Sequence, residues 1–348
     1  MDTNTNEAEP PEANFHPPNN IPLLAFIPKT EENQFFYENG LAKFIDKIFV
    51  KTHHQIDECH FLWEKFSPNR SIFNLWEFRY AWYLGFGYQP FFYTLYLGKR
   101  PLATLPLWFN RRENRYEWFG GTWPEDNHFF VDDEKFIPFL FKIAPQPIFL
   151  NAIVKKEYSV NGSFNFLKED TPKYVLKIEG DDNIETLISR LDKKHRHNLR
   201  HFYHYYQSFS PQLEILEGDQ SRRLTQLRDL SIIDFERKDV SEYRKKERVR
   251  TFEMIYKLQG RYKILSLLIY IQNYLAAFDI LGIYEKNFYI LTGASDLSRF
   301  PGISVFITYV EFQEALKRKM AFIDCMQEDY NWKHKYFFPQ PMLKFEIK

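Results

Sequence analysis

Between Tyr262 and Met326 the apolar positions change period twice. YKILSLLIYI is β-branched and aromatic, Gln272-Asn273 forms a two-residue turn, and YLAAFDILGIY runs back, which is the pattern of a hairpin. A turn at Glu285-Lys286-Asn287 leads into a third strand, FYILTGA. Past a loop, the apolar residues of GISVFITYVEFQEALKRK recur at helical spacing, and Lys317, Arg318 and Lys319 end it where the helix dipole favours cations. A short strand, AFIDCM, follows. The same order stands upstream: QPFFYTLYL, a Gly98-Lys99 turn, RPLATLPLWFN, a turn at 111–114, RYEWFGG, a loop, DDEKFIPFLFKIA and PIFLNAI. Helical material precedes each copy, GLAKFIDKIFV and SIFNLWEFRYAWYLGF before the first, residues 185–206 and 222–259 before the second. Two copies of a β-β-β-α-β order imply a duplicated unit in a mixed α/β fold with a largely antiparallel sheet. The expected division is a tail at 1–21, an N-terminal unit at 22–172 and a C-terminal unit at 173–348, with KYVLKI as the second unit's first strand.

Length agrees with this, since 348 residues suit two domains. The first 20 residues are rich in Pro, Asn and Glu and are read as a disordered tail. Lys plus Arg equals Asp plus Glu, 46 each, so any anion binding is local and a protein that coats nucleic acid is not indicated. Aromatic residues make up 19 % of the chain, enough for a core packed through rings. Cys59 and Cys325 are far apart, with no metal-ligand spacing, and read as reduced thiols of a cytoplasmic protein. The most apolar run is interrupted by Gln272, Asn273 and Asp279, which argues for strands and against a transmembrane segment. His195 and His197 alternate on a helix and face apart, so no metal is expected.

The two copies differ most in the loop after the third strand. The first reads GGTWPEDNHFFVDD and is acidic, whereas the second reads GASDLSRFPGIS and carries Arg299 and Gly302 at a helix start. A third strand leading through [QR]-x-x-G-x-[GA] into a helix resembles the GNAT acyltransferase superfamily. Here the motif positions are Arg299, Gly302 and Ser304, with Ser in the last small position. More specifically, LWEFRYAWYLGFG, LATLPLWF, WFGGTWPED, KKHRHNLRH, the run 278–304 and FIDCMQEDYNWK, in that order, resemble tandem-GNAT proteins of the CelD/BcsL type and, more distantly, Fem aminoacyl ligases. Together these pieces cover most of residues 70–336.

The resemblance implies two tandem GNAT-like domains and transfer of an acyl group from acetyl-CoA or another acyl-CoA to an amine or hydroxyl of a polysaccharide or cell-envelope precursor. It places the pyrophosphate at the helix start by Arg299, Gly302 and Ser304, where unpaired N–H groups and the dipole favour an anion. It places the oxyanion near Leu291 to Gly293 on the third strand. Acyl transfer also needs a base. Asp279, Asp324, Glu328 and Asp329 are candidates, because an acid among apolar strand residues has a raised pKa. The Trp332-Lys333 pair matches the family's closing aromatic-Lys pair, with Lys333 as an electrostatic partner and Trp332 near the substrate. Arg196 and Arg200, four apart on one helix face, are either an anion grip or a solvated basic face. Trp123, Glu125 and Asp126 would hold an acceptor in the first copy, or else form a capped acidic turn. A Fem-like enzyme would add tRNA as a partner, and a non-catalytic scaffold binding glycan or a synthase is the remaining alternative.

Overall fold

The computed structural model describes residues 20–27, 45–155, 166–235 and 245–348. Residues 1–19 of the expected tail, and 40–44 and 236–244 of the expected helical stretches, lie outside the described residues. The N-terminal run is β1 (Ile21–Pro22), β2 (Ile48–His53), α1 (Ile56–Phe66), α2 (Trp76–Phe86), β3 (Pro90–Leu97), β4 (Arg100–Asn110), β5 (Arg115–Trp118), β6 (Phe130–Val131), α3 (Ile137–Ile143) and β7 (Ile148–Val154). Next come β8 (Lys168–Lys177), α4 (Ile184–Ser189) and α5 (Lys193–Gln207). The second run is β9 (Gln212–Glu217), α6 (Leu224–Phe235), α7 (Lys246–Lys257), β10 (Lys263–Ile271), β11 (Tyr274–Tyr284), β12 (Asn287–Ser295), α8 (Ile303–Lys317) and β13 (Phe322–Gln327), and β14 (Phe338–Ile347) closes the chain.

The duplicated unit is therefore one strand longer than its sequence pattern suggests. It is a strand, two helices, three meandering strands, a helix and a strand, and it occurs twice. The expected helix at 40–50 is corrected at its end, where Ile48–His53 is strand β2. Buried Ile48 and Val50 alternate there with half-buried Phe49 and Lys51, and the strand pairs β3 from Ile48↔Leu97 to His53↔Phe92. Gln272 and Asn273 both have positive φ, 49° and 67°, as a twist-matched two-residue hairpin turn requires.

All the strands join one mixed sheet in the order β1-β2-β3-β4-β5-β7-β14-β8-β13-β12-β11-β10-β9, with β6 on β4. The expected boundary at 172/173 falls inside β8, and β14 lies between β7 and β8, so the two units are sewn together at the sheet centre. Pro339 and Pro341 disguise β14 in the sequence, and its pairing with β8 shifts register between Gln340 and Met342. The parallel pairs are short. β12 meets β13 only from Asn287↔Phe322 to Tyr289↔Asp324, then continues to Ser295 on β11 alone, which opens a fork. β5 and β7 behave alike after Glu117↔Phe149.

One core serves both units. Trp63, Phe78 and Trp82 from α1 and α2 pack in it with Leu227, Phe252 and Ile255 from α6 and α7 and with Phe278 and Tyr289 from the second unit's strands. Helices α2 and α7 touch through Gly85, where a Cβ would stand 2.0 Å from Thr251 Oγ1 and 2.9 Å from the Glu247 carbonyl oxygen. Substituting Gly85→Val should destabilise the protein by about 1–3 kcal/mol through overpacking. Urea unfolding measures this, and a variant as stable as the wild type would mean that the helices are not in such close contact.

Candidate functional site

Three sequence candidates from different parts of the chain meet at the seam. Glu125 and Asp126 come from the loop after β5, Asp324 comes from β13, and the residue that gathers them is Lys173 in β8. The Lys173 ammonium donates to Asp126 Oδ1 and to Asp324 Oδ2, both at 2.7 Å, and all four side chains are buried. Burial alone works against the ammonium, but Asp126, Asp324 and Glu125 together outweigh it, and the Lys173 pKa lies well above its ordinary value. Burial raises Asp324 as a carboxylic acid, while Lys173 pulls it back. Glu125 is raised well above the carboxylate range by burial and by Asp324. Its Oε1 accepts from the Gln327 N–H at 2.6 Å, and its Oε2 is buried with no hydrogen-bond partner.

A buried guanidinium braces the loop that carries the two acids. Arg79 donates to the carbonyls of Phe73 (2.7 Å), Phe119 (3.1 Å) and Glu125 (3.3 Å) and to Asn127 Oδ1 (2.5 Å). Burial pulls its pKa down to about 9, which leaves it charged at neutral pH. Asn74 Nδ2 donates to the Asp126 carbonyl at 2.8 Å, and Asp126 sits in the left-handed region at φ 51°, a strained position that these bonds hold. Asp126, Lys173 and Asp324 line a cleft of about 230 Å³ between the units, together with Arg70, Asn74, His128, Tyr289 and Gln340. A proton-accepting carboxylate beside a fixed ammonium is the equipment for deprotonating a nucleophile and meeting a developing oxyanion.

Asp279 belongs to a second cluster, in the fork of the C-terminal unit. Its carboxyl is hydrogen-bonded to that of Glu311 on α8 and lies over Gly293, where a Cβ would meet Asp279 Oδ1 at 1.7 Å. Burial raises Asp279 to about 7 and Glu311 well above its ordinary value, the latter helped by the Asp279 charge. Lys333 is buried, but its ammonium donates to the Gln327 carbonyl at 2.6 Å. Trp332 packs on Phe337 and Leu291 lies in the shared core, neither of them in the cleft lining. Lys173, Arg79 and Glu311 were not singled out from the sequence. Glu311 carried a signal, an acid between Val310 and Phe312 on an apolar helix, and Arg79 another, a lone cation among the rings of α2.

The start of α8 is arranged differently from an open anion cradle. Gly302 has φ 82°, and a Cβ on it would stand 2.0 Å from Phe202 Cε1 on α5, while Tyr206 Oη donates to the Pro301 carbonyl at 2.8 Å. The Arg299 guanidinium lies 4.4 Å over the Tyr274 ring. Ser304 turns its carbonyl to Thr308 Oγ1 at 2.9 Å. Arg196 donates to the Ser189 carbonyl at 2.6 Å and Arg200 pairs with Glu185, so both face α4. As these residues stand, the Phe202 ring lies over Gly302 and the Arg299 guanidinium over Tyr274. Trp123 is engaged as well, stacked on Trp82 at 4.9 Å with Phe252 at its edge. Among the described residues no group of three or more His, Cys, Asp or Glu side chains is placed to hold a metal ion, and no helix is long and apolar enough to cross a membrane.

No family model matches the sequence, and no curated protein matches it. Solved structures match in fold. FemX superposes with a TM-score of 0.53 at 11 % identity over 85 % of this chain and 96 % of that one. The C-terminal domain of a putative lysylphosphatidylglycerol synthetase from Agrobacterium fabrum gives 0.52 at 12 % identity over 82 % and 91 %. A tandem GNAT protein from the clavulanic acid biosynthesis pathway gives 0.51 at 9 % identity over 86 % and 98 %. The architecture is thus a tandem GNAT-like one.

The acid pair gives a pH dependence with a definite sign. The Asp279 carboxyl holds its proton longer in the folded protein than at its ordinary 3.8, so the stability that this pair contributes is greatest in acid. It falls as the pH rises from 3.8 to about 7 through Asp279, with Glu311 extending the fall upward. Melting temperatures across this window should show a smaller slope in Glu311→Gln, and an unchanged slope would remove the pair as its source.

Proposed function

We propose that the protein is an acyl transferase that acts in the cleft between its two units, on an amine or hydroxyl acceptor held beside Asp126, Lys173 and Asp324. The observation that carries this reading is the Lys173 ammonium fixed between two buried carboxylates at the cleft wall. The acceptor attacks the acyl carbonyl carbon and its proton passes to Asp324, whose raised pKa brings it nearer the working pH than an ordinary carboxylate. Lys173 uses two of its three N–H donors on the carboxylates, and the third meets the tetrahedral oxyanion. Collapse of that intermediate breaks the bond to the donor's leaving group and leaves the acyl group on the acceptor.

Acyl-CoA is the donor class that the Arg299-Gly302-Ser304 motif favours, and an envelope or polysaccharide precursor is the matching acceptor class. The domain roles that go with it are acceptor recognition by residues 22–172 and donor binding by residues 173–348. Because the Phe202 ring fills the space over Gly302, a donor phosphate there requires that ring to withdraw, and no step above is routed through it.

Asp324→Asn should lower kcat/KM by about 10²–10⁴ if Asp324 is the base, measured below the lowered melting temperature that loss of a carboxylate partner of Lys173 brings, where circular dichroism shows the variant folded. Full activity in this variant would move the base to another group, and a wild type that transfers no acyl group would leave the non-catalytic scaffold as the better reading. For the donor, calorimetric titration of coenzyme A should show about tenfold tighter binding to Phe202→Ala than to the wild type, since removing the ring opens the space over Gly302 at the helix start. Equal affinity, or none in either, would place the donor elsewhere.

A further inference from the structure

Among the described residues ten large apolar side chains are well exposed, and five of them gather at one end of the C-terminal unit: Tyr205, Phe209, Leu213, Tyr274 and Leu297. The topology brings them together. β9 runs antiparallel to β10, so its first residues lie beside the end of β10, Gln212 opposite Tyr270 and Leu213 opposite Ile269. Tyr274 pairs with Ile271 at the same edge, and Leu297 follows Asp296, whose N–H donates to the Ala276 carbonyl. The C-terminal end of α5 is tied to this edge by the bond from Tyr206 to Pro301, and Arg299 covers one face of Tyr274.

From this apolar end a line of rings runs back along the outer face of α5. His197 stacks on His201 at 6.2 Å, His201 on Tyr205 at 6.3 Å, and Tyr205 meets Phe209 edge-on at 5.2 Å, each pair four residues apart. Lys193 and Lys194 are exposed at the helix start. From Lys193 to Leu213 the chain contains no Asp or Glu, although the protein as a whole is neutral. The face is therefore locally basic at one end and apolar at the other.

We propose that this face docks the protein on an anionic lipid bilayer, with Tyr205, Phe209, Leu213, Tyr274 and Leu297 at the boundary between headgroups and acyl chains and Lys193 and Lys194 on headgroup phosphates. Aromatic rings with polar tips suit that boundary, and lysines near an anionic surface add attraction that salt screens. Two details favour lipid over nucleic acid. The rings of His197, His201 and Tyr205 are stacked on one another, which leaves their faces less open to bases. Exposed Leu213 and Leu297 offer nothing to a nucleotide but gain from acyl chains. The inference is independent of the chemistry assigned to the cleft.

Flotation of the full chain with vesicles tests it. The protein should bind equimolar phosphatidylcholine–phosphatidylglycerol vesicles, bind pure phosphatidylcholine far less, and release as salt rises. Tyr205→Ser with Phe209→Ser, and separately Lys193→Glu with Lys194→Glu, should each weaken binding about tenfold or more, with circular dichroism and melting unchanged because all four side chains are exposed. The lysine variant should also lose most of the salt dependence. Failure to float with either vesicle overturns the proposal. Displacement from vesicles by transfer RNA, through the same side chains and with tighter binding to the RNA, overturns it in favour of a nucleic-acid face.

Discussion

Lys173 stands on the strand that joins the two units, and its ammonium is bonded to a carboxylate from each of them, Asp126 in the first and Asp324 in the second. Removing one partner from such a buried group leaves a charge without compensation, at a cost of about 3–5 kcal/mol. The geometry of the cleft follows from this constraint. Asp126 can occupy a left-handed backbone position because Lys173 holds its side chain and Asn74 its carbonyl, while Arg79 fixes the loop on either side. Asp324 is aimed by the same ammonium and by the Met326 N–H at 2.9 Å. The cleft wall and the seam of the fold are one structure, so the protein has no way to loosen one without the other.

The repeated strand-and-helix order was legible because its signals are local: two-residue turns, alternation of period two and apolar spacing of period 3.6. β2 and β14 were not legible, for different reasons. Ile45, Ile48 and Val50 fit a helix face as well as a strand, and only pairing with β3 decides between them. β14 is pinned by partners some 170 residues away, Lys173 and its neighbours, which no window around Pro339 contains. Asp324 stood out as an acid in apolar company, and Glu125 and Asp126 stood out in the acidic loop after the first copy's third strand. Lys173 did not, because a lysine beginning a strand looks like any solvated strand end, and its burial depends on three segments arriving from elsewhere.

Glycine-rich loops were the sequence feature most open to two readings. The structure uses them for packing in both units. Gly120 and Gly121, at φ 98° and 84°, let Arg79 and Trp108 approach, with a Cβ at either position 2.9 Å from one of these side chains. Gly302 admits Phe202 in the same way. A missing side chain shows that something comes close to the backbone but not whether it is a ligand or another part of the chain. In the second unit the occupant is a helix, α5, whose other face is the basic and aromatic one.

The two acid clusters solve the problem of buried carboxyls in opposite ways, and this assigns them different work. At the cleft the Lys173 ammonium supplies the balancing charge to Asp126 and Asp324. In the fork Asp279 and Glu311 are bonded to each other, and a retained proton supplies the balance. Lys333 stands near enough to influence Cys325, yet donates to the Gln327 carbonyl, and the N–H of that same residue donates to Glu125. The backbone of Gln327 is therefore held by a lysine at its carbonyl and by Glu125 at its N–H. Positive φ at Met326, Glu328, Tyr330 and Asn331 is tolerated around it because these bonds fix the turn. Lys333 thus holds the segment whose N–H groups at Met326 and Gln327 donate to Asp324 and Glu125, a contact that its place in the sequence motif does not reveal.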